Sequence, residues 1–199
     1  MSWQAWATFC TIELVLCLTP GPAVFYVAST AMSRGPRAGF AGACGIVAGN
    51  TLYFVLSALG VAAVILASNR VFTMLKWLGA AYLLYMGISM LLRGDGGDST
   101  IRRPAAARAF MRGFAVQAAN PKALAFFVAL LPQFIDPRGS VAMQVSILGL
   151  SSQLIEIGVL SLYIWLAGRS RALAGGRAGA IVKRVAGGLL VAAGARLAF

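Results

Sequence analysis

From Ala38 to Asn69 the chain runs for 32 residues without a charged side chain. One bilayer-spanning helix needs about 20 predominantly apolar residues, so this run is long enough to cross a membrane. Composition extends the argument to all 199 residues. Hydrophobic residues make up 60% and charged residues 11%, against roughly a quarter charged in ordinary soluble domains. A surface that faces water cannot be built from this material. The sequence predicts an all-α integral membrane protein, a single polytopic domain over residues 1–199.

Apolar runs between charges give six expected spans, at about 4–30, 38–67, 72–92, 111–134, 140–167 and 179–198. The third holds Lys76 near its start, which must snorkel, and the sixth begins among Lys183 and Arg184. Five spans stay open as an alternative. The long hydrophilic connector is Arg93 to Arg112, where Gly94, Gly96, Gly97 and Pro104 favour a flexible loop. The stretch before Thr11 has no basic residue, and Glu13 interrupts what would be a signal-peptide core; Leu16 before Cys17 suits no lipoprotein cleavage. The first span is expected to be retained.

Seventeen basic residues against five acidic give a net charge of +12. In a soluble chain this would suggest nucleic acid; here the basic residues sit between apolar runs, where they orient helices, and no nucleic-acid partner is expected. With six alternating spans, one face carries twelve of them, among them Arg34, Arg37, Arg93, Arg112, Arg169 and Lys183. The other carries four: Arg70, Lys76, Arg138 and Arg196. The richer face should be cytoplasmic, with both termini outside. Trp3, Trp6, Trp77 and Trp165 fall near span ends, as interfacial aromatics do.

Sliding the chain against itself by 101 positions aligns Pro20 with Pro121, Pro36 with Pro137, Arg37 with Arg138, Arg70 with Arg171 and Lys76 with Arg177. This suggests two halves of three spans, residues 1–92 and 113–199, joined by a cytoplasmic loop at 93–112. Three is odd, so the second half enters the membrane upside down, a 3+3 inverted repeat. The same offset pairs two helix-breaking motifs, Thr19-Pro20-Gly21-Pro22 in span 1 and Asn120-Pro121-Lys122 in span 4. Proline lacks an amide hydrogen and clashes with the preceding turn. Helices 1 and 4 are therefore expected to be broken, and backbone groups released in hydrocarbon must line a cavity or find partners. A matched pair of breaks points to a central solute site.

Leu18 to Ala23, Ser33-Arg34-Gly35, Gly45 to Asn50, Leu78 to Leu83, Asn120-Pro121-Lys122 and Leu131 to Pro137 together resemble the lysine exporter (LysE/RhtB) family, and the resemblance runs essentially end to end. It implies a small multi-pass carrier of the bacterial inner membrane that expels amino acids, driven by the proton-motive force, with no cofactor and no enzymatic step. A homodimer is compatible with the sequence but not fixed by it.

Three ionisable residues fall inside spans: Glu13, Lys122 and Glu156. A charge at such depth costs several kcal/mol unless it is paired or faces water, so each is a functional candidate. Glu13 precedes Pro20 by seven residues, about two turns, and shares a face with the break. Lys122 follows the second break, where a cation and exposed amides suit a carboxylate. Either glutamate then suits a substrate ammonium or the coupling proton. An internal salt bridge from Lys122 to a glutamate is the competing reading. The candidate site is thus Glu13, Pro20, Gly21, Pro22, Asn120, Pro121, Lys122 and Glu156.

The remaining polar residues at this depth, Asn50, Gln117, Ser151, Ser152 and Gln153, read as interhelical hydrogen bonders. Gly42, Gly45 and Gly49 read as close helix contact, as do Gly187, Gly188 and Gly194. Gly35-Pro36 and Asp136-Pro137 read as turns. Cys10, Cys17 and Cys44 have no Cys-x-x-Cys spacing and suit packing. A thiol-disulfide enzyme would want a cysteine at each break, and span 4 has none. Export of a metal cation or another small solute is the alternative function, weakened by the absence of histidine and the few acidic residues.

Overall fold

Proline sets most of the element boundaries. A computed structural model describes residues 1–59, 105–136 and 138–198 together with scattered positions between 77 and 92. Helix α1 covers Trp3–Leu18, α2 Pro22–Arg34, α3 Pro36–Ala58, α4 Ala105–Ala118, α5 Pro121–Ala125 and α6 Val141–Ala198. Between α5 and α6 lie a π-helical turn, Phe126–Leu130, and a 3-10 turn, Leu131–Phe134. Helices α2, α3 and α5 each start on a proline, whose fixed φ suits the first turn and whose missing amide would go unbonded there anyway. All the described elements are helical.

Helices α3 and the Val141–Arg169 part of α6 are each long and apolar enough to cross a membrane. Helices α1 and α2 meet the same test as a pair, bent by 51° across the residues between them. The expected third span lies almost wholly outside the described residues. Two boundaries differ from the sequence reading. Helix α4 starts at Ala105, inside the segment expected to be loop, because the alanines after Pro104 favour helix whether or not the stretch is apolar. The expected gap between spans 5 and 6 is helical too, since no proline occurs after Pro137 and the glycines there only weaken a helix.

In lipid the hydrophobic effect does little to hold helices together; close packing and hydrogen bonds do so instead. Helix α3 packs along α4, and α6 packs against α1, α2 and α3. The glycine stripe makes the first contact: a Cβ added at Gly45 would collide with the carbonyl oxygen of Phe110, and one at Gly113 with that of Gly42. At Gly188, by contrast, a Cβ would meet nothing within 4 Å. The Tyr26 hydroxyl ties α2 to α4 by donating to the Ala109 carbonyl at 2.8 Å.

Two buried apolar clusters result. One joins Val27, Ile46, Val116 and Leu160; the other is largely aromatic, with Phe9, Phe54, Phe126 and Phe127 around Leu131 and Leu148. Leu150 and Leu154 of α6 are well exposed, as a face turned to lipid requires. Trp165 is exposed with Arg169 4.1 Å from its ring at the end of the apolar part of α6.

The expected turn at Gly35-Pro36 is present, while Pro137 of the second lies outside the described residues. Gly35 takes φ 93°, which an L side chain adopts only with strain, and links α2 to α3. The carboxylate of Asp136 accepts from the Arg138 amide at 2.9 Å, while Gln144 bonds both backbone groups of Asp136.

Candidate functional site

Helix α1 ends where its backbone runs out of donors. In an uninterrupted helix the Leu16 carbonyl would accept from residue 20 and the Leu18 carbonyl from residue 22; both positions are proline. The Thr19 amide bonds back to the Val15 and Leu16 carbonyls, at 3.0 and 3.2 Å, and distant side chains complete the set. The Lys122 ammonium donates to the Leu16 carbonyl, and to that of Thr19 at 3.2 Å. The Tyr163 hydroxyl donates to the Leu18 carbonyl at 2.9 Å.

The interruption between α4 and α5 is satisfied differently. Pro121 removes the usual donor to the Gln117 carbonyl, and the Asn120 amide supplies one at 3.0 Å. Asn120 also caps α5, its side-chain oxygen accepting from the Lys122 amide at 3.1 Å. The Ala118 carbonyl, left without that amide, accepts from the Tyr53 hydroxyl at 2.7 Å.

The two interruptions are adjacent. A Cβ added at Gly21 would lie 3.9 Å from Cδ of Lys122. Between them is a cavity, partly open to the outside and about 570 Å³ when its open mouth is included, onto which Glu13, Gly21, Asn120, Lys122 and Glu156 all face. Its apolar wall is formed by Val24, Ala123, Phe126, Phe127, Val159 and Leu160. Of the sequence-derived candidates, only the three prolines do not line it; they act by ending α1 and starting α2 and α5.

Both glutamates are buried and hydrogen-bonded. Glu13 accepts from the Ser152 hydroxyl at 2.5 Å and from the Cys17 thiol at 3.7 Å. Glu156 accepts from the Asn50 amide at 2.5 Å. Among the described residues no ion pair joins Lys122 to either glutamate; carbonyl oxygens hold its ammonium instead.

Asn50 belongs to a directed chain of amides. Asn120 donates to Gln117 at 3.0 Å, Gln117 to Asn50 at 2.6 Å, and Asn50 to Glu156. Every link is polarised the same way, from the start of α5 towards the carboxyl group, and neighbouring bonds strengthen one another in a low-dielectric setting. The sequence reading treated Asn50, Gln117 and Ser152 as ordinary interhelical contacts and Cys17 as packing. The available signals were the four-residue spacing of Glu13 and Cys17 and the three-residue spacing of Gln117 and Asn120, each of which puts a pair on one helix face. Among the described residues no three His, Cys, Asp or Glu side chains gather as a metal ion would require.

A bilayer-crossing helical chain with a polar cavity between two helix interruptions has the character of a carrier, and comparison with known proteins agrees. The model of the LysE type translocator family matches residues 14–199. The chain belongs to this family. Among its relatives, the homoserine/homoserine lactone efflux proteins of Salmonella typhimurium and Salmonella typhi are each 30% identical over 201 residues, spanning 100% of this chain and 98% of theirs. An uncharacterised membrane protein of Pseudomonas aeruginosa is 34% identical over 200 residues, 91% of this chain and 88% of its own. No solved structure matches this translocator.

Proposed function

We propose that this LysE-type translocator exports amino acids from the cytoplasm across the bacterial inner membrane, driven by the proton-motive force, with the cavity between the two interruptions as its substrate site. The observation that carries the reading is the meeting of Lys122 with the end of α1: cation, freed carbonyls and two buried carboxyl groups share one space. A zwitterion needs that combination. The Lys122 ammonium suits a carboxylate, and Glu13 and Glu156 supply the negative charge that draws an ammonium or takes up the coupling proton. The efflux function named for the Salmonella relatives supports export of a small hydroxylated amino acid or its lactone.

The reading includes a 3+3 inverted repeat with broken helices 1 and 4, both termini periplasmic. Reciprocal contacts support it. Tyr163, from the second half, caps the end of α1, while Tyr53, from the first half, caps the end of α4. Likewise Glu13 of α1 bonds to Ser152 of α6, and Gln117 of α4 to Asn50 of α3. Each interrupted helix is thus bonded to the second span of the opposite half, the exchange that a two-fold axis in the membrane plane produces.

The test is efflux of labelled amino acids from cells fed matching dipeptides. The native chain should speed the exit of at least one amino acid relative to cells lacking it, and Lys122→Ala and Glu13→Gln should each reduce that rate about tenfold or more, the loss of one charged contact. If no amino acid leaves faster than from cells without the protein, the exporter reading fails.

A further inference from the structure

We infer that the carbonyl oxygens of Leu16 and Thr19 form a binding site for a primary ammonium, which Lys122 fills in the empty carrier and yields to the ammonium of the cargo. The inference rests on the transport reading for its second half only. The first half stands on geometry.

Three observations carry it. The Leu16 carbonyl has lost its helical donor to Pro20; the Thr19 amide reaches it at 3.2 Å, and its second lone pair takes a primary ammonium arriving from another helix. The same ammonium reaches the Thr19 carbonyl, so two acceptors converge on one –NH3⁺ at the negative end of the α1 dipole. Finally, the cradle opens onto the cavity: Leu16, Thr19 and Lys122 all line it, with Glu13 on the same wall. An ammonium on a small molecule in the cavity therefore competes with Lys122 for the same oxygens. Once displaced, the Lys122 ammonium is free to meet the carboxylate of that molecule. The cargo class that follows bears both a primary ammonium and an anionic group. A quaternary amine, which has no N–H to donate, does not fit.

The test uses the purified full-length chain in detergent and needs no transport. In Lys122→Met the side chain keeps its bulk but the cradle loses its donor. Methylammonium at 100 mM should raise the thermal midpoint of that variant by about 3 °C, leave the native chain unmoved and be matched by no rise with tetramethylammonium. An equal response of both chains, or an equal response to both cations, overturns the proposal. In case Lys122→Met does not fold, a second measurement uses the native Lys122. In a Lys76→Arg, Lys183→Arg chain labelled with ¹⁵N-lysine, the one remaining ammonium should exchange hydrogens with water at least tenfold more slowly than free lysine. Exchange at the free rate overturns the proposal. Methylammonium stabilisation with no amino-acid efflux would leave the cradle standing and sink the transport reading alone; efflux without stabilisation would do the reverse.

Discussion

The ends of α1 and α4 face the same chemical problem, and they differ in how much of the solution comes from distant side chains. Each is followed by proline, and each leaves carbonyl oxygens without their helical donors. At α4 the repair is mostly local: Asn120 supplies one amide to Gln117 and caps α5 with its side chain, and only Tyr53 comes from elsewhere. At α1 two prolines follow in close succession; the Thr19 amide supplies the like local bond to Leu16 at 3.2 Å but shares it with Val15, and the rest of the repair comes from afar, through Lys122 and Tyr163. A locally repaired end holds its shape by itself. An end repaired by distant side chains is only as fixed as the packing that brings them, and its acceptors are open to exchange.

This contrast can be broken or sharpened by substitution. The largest expected difference lies between the prolines. Pro20→Ala restores an amide that can bond to Leu16 and so competes with Lys122; efflux should fall about tenfold or more while the thermal midpoint holds or rises. Pro121→Ala restores an amide whose acceptor, the Gln117 carbonyl, is served by the neighbouring Asn120 amide and not by Lys122, and efflux should change by less than about threefold. Equal effects of the two would erase the distinction between the ends.

Next comes the amide chain. Asn50→Leu leaves the Gln117 Nε2 without its acceptor and Glu156 without its donor and should cost about 2–3 kcal/mol, seen as a fall of several degrees in the thermal midpoint. A chain that melts unchanged would show that the relay is not structural.

Smaller effects belong to the tyrosines. Tyr163→Phe and Tyr53→Phe each remove one hydrogen bond to a carbonyl that lacks its helical donor, worth about 1 kcal/mol or a few degrees. Removal of both should cost the sum, because the two hydroxyls serve different helix ends. A similar effect is expected for Asn120→Ser, which keeps a capping oxygen but takes the amide donor from Gln117, and should lose about 1–2 kcal/mol in the same melting assay.

Much of this was legible in the sequence, for reasons that differ by residue. The helix stops at Leu18 and Ala118 follow from prolines, whose effect on the backbone is local and needs no knowledge of the partner helix. The adjacency of Glu13, Lys122 and Glu156 was foreseeable because isolated charges at membrane depth must find each other, polar groups or water. The glycine contacts between α3 and α4 were readable from spacing alone. Other features were hidden. Asn50 and Gln117 look the same in sequence whether they bridge two helices or wire a carboxyl group into a site; only the fold shows the chain linking them. The competing salt bridge had the right residue and the wrong acceptor: Lys122 went to backbone oxygens, which carry no signature in a sequence. The start of α4 at Ala105 was missed because apolar runs mark where a helix enters lipid, not where helical hydrogen bonding begins.

A pyrrolidine nitrogen can never regain a hydrogen. Whatever shapes this translocator visits as it works, the oxygen of Leu16 enters each of them without its natural neighbour; the Thr19 amide covers it in part, and its remaining lone pair is left to the lysine, a solute or water. The thirst of that single atom is permanent, written into the chain by one imino acid, and it persists through every pose the surrounding helices adopt.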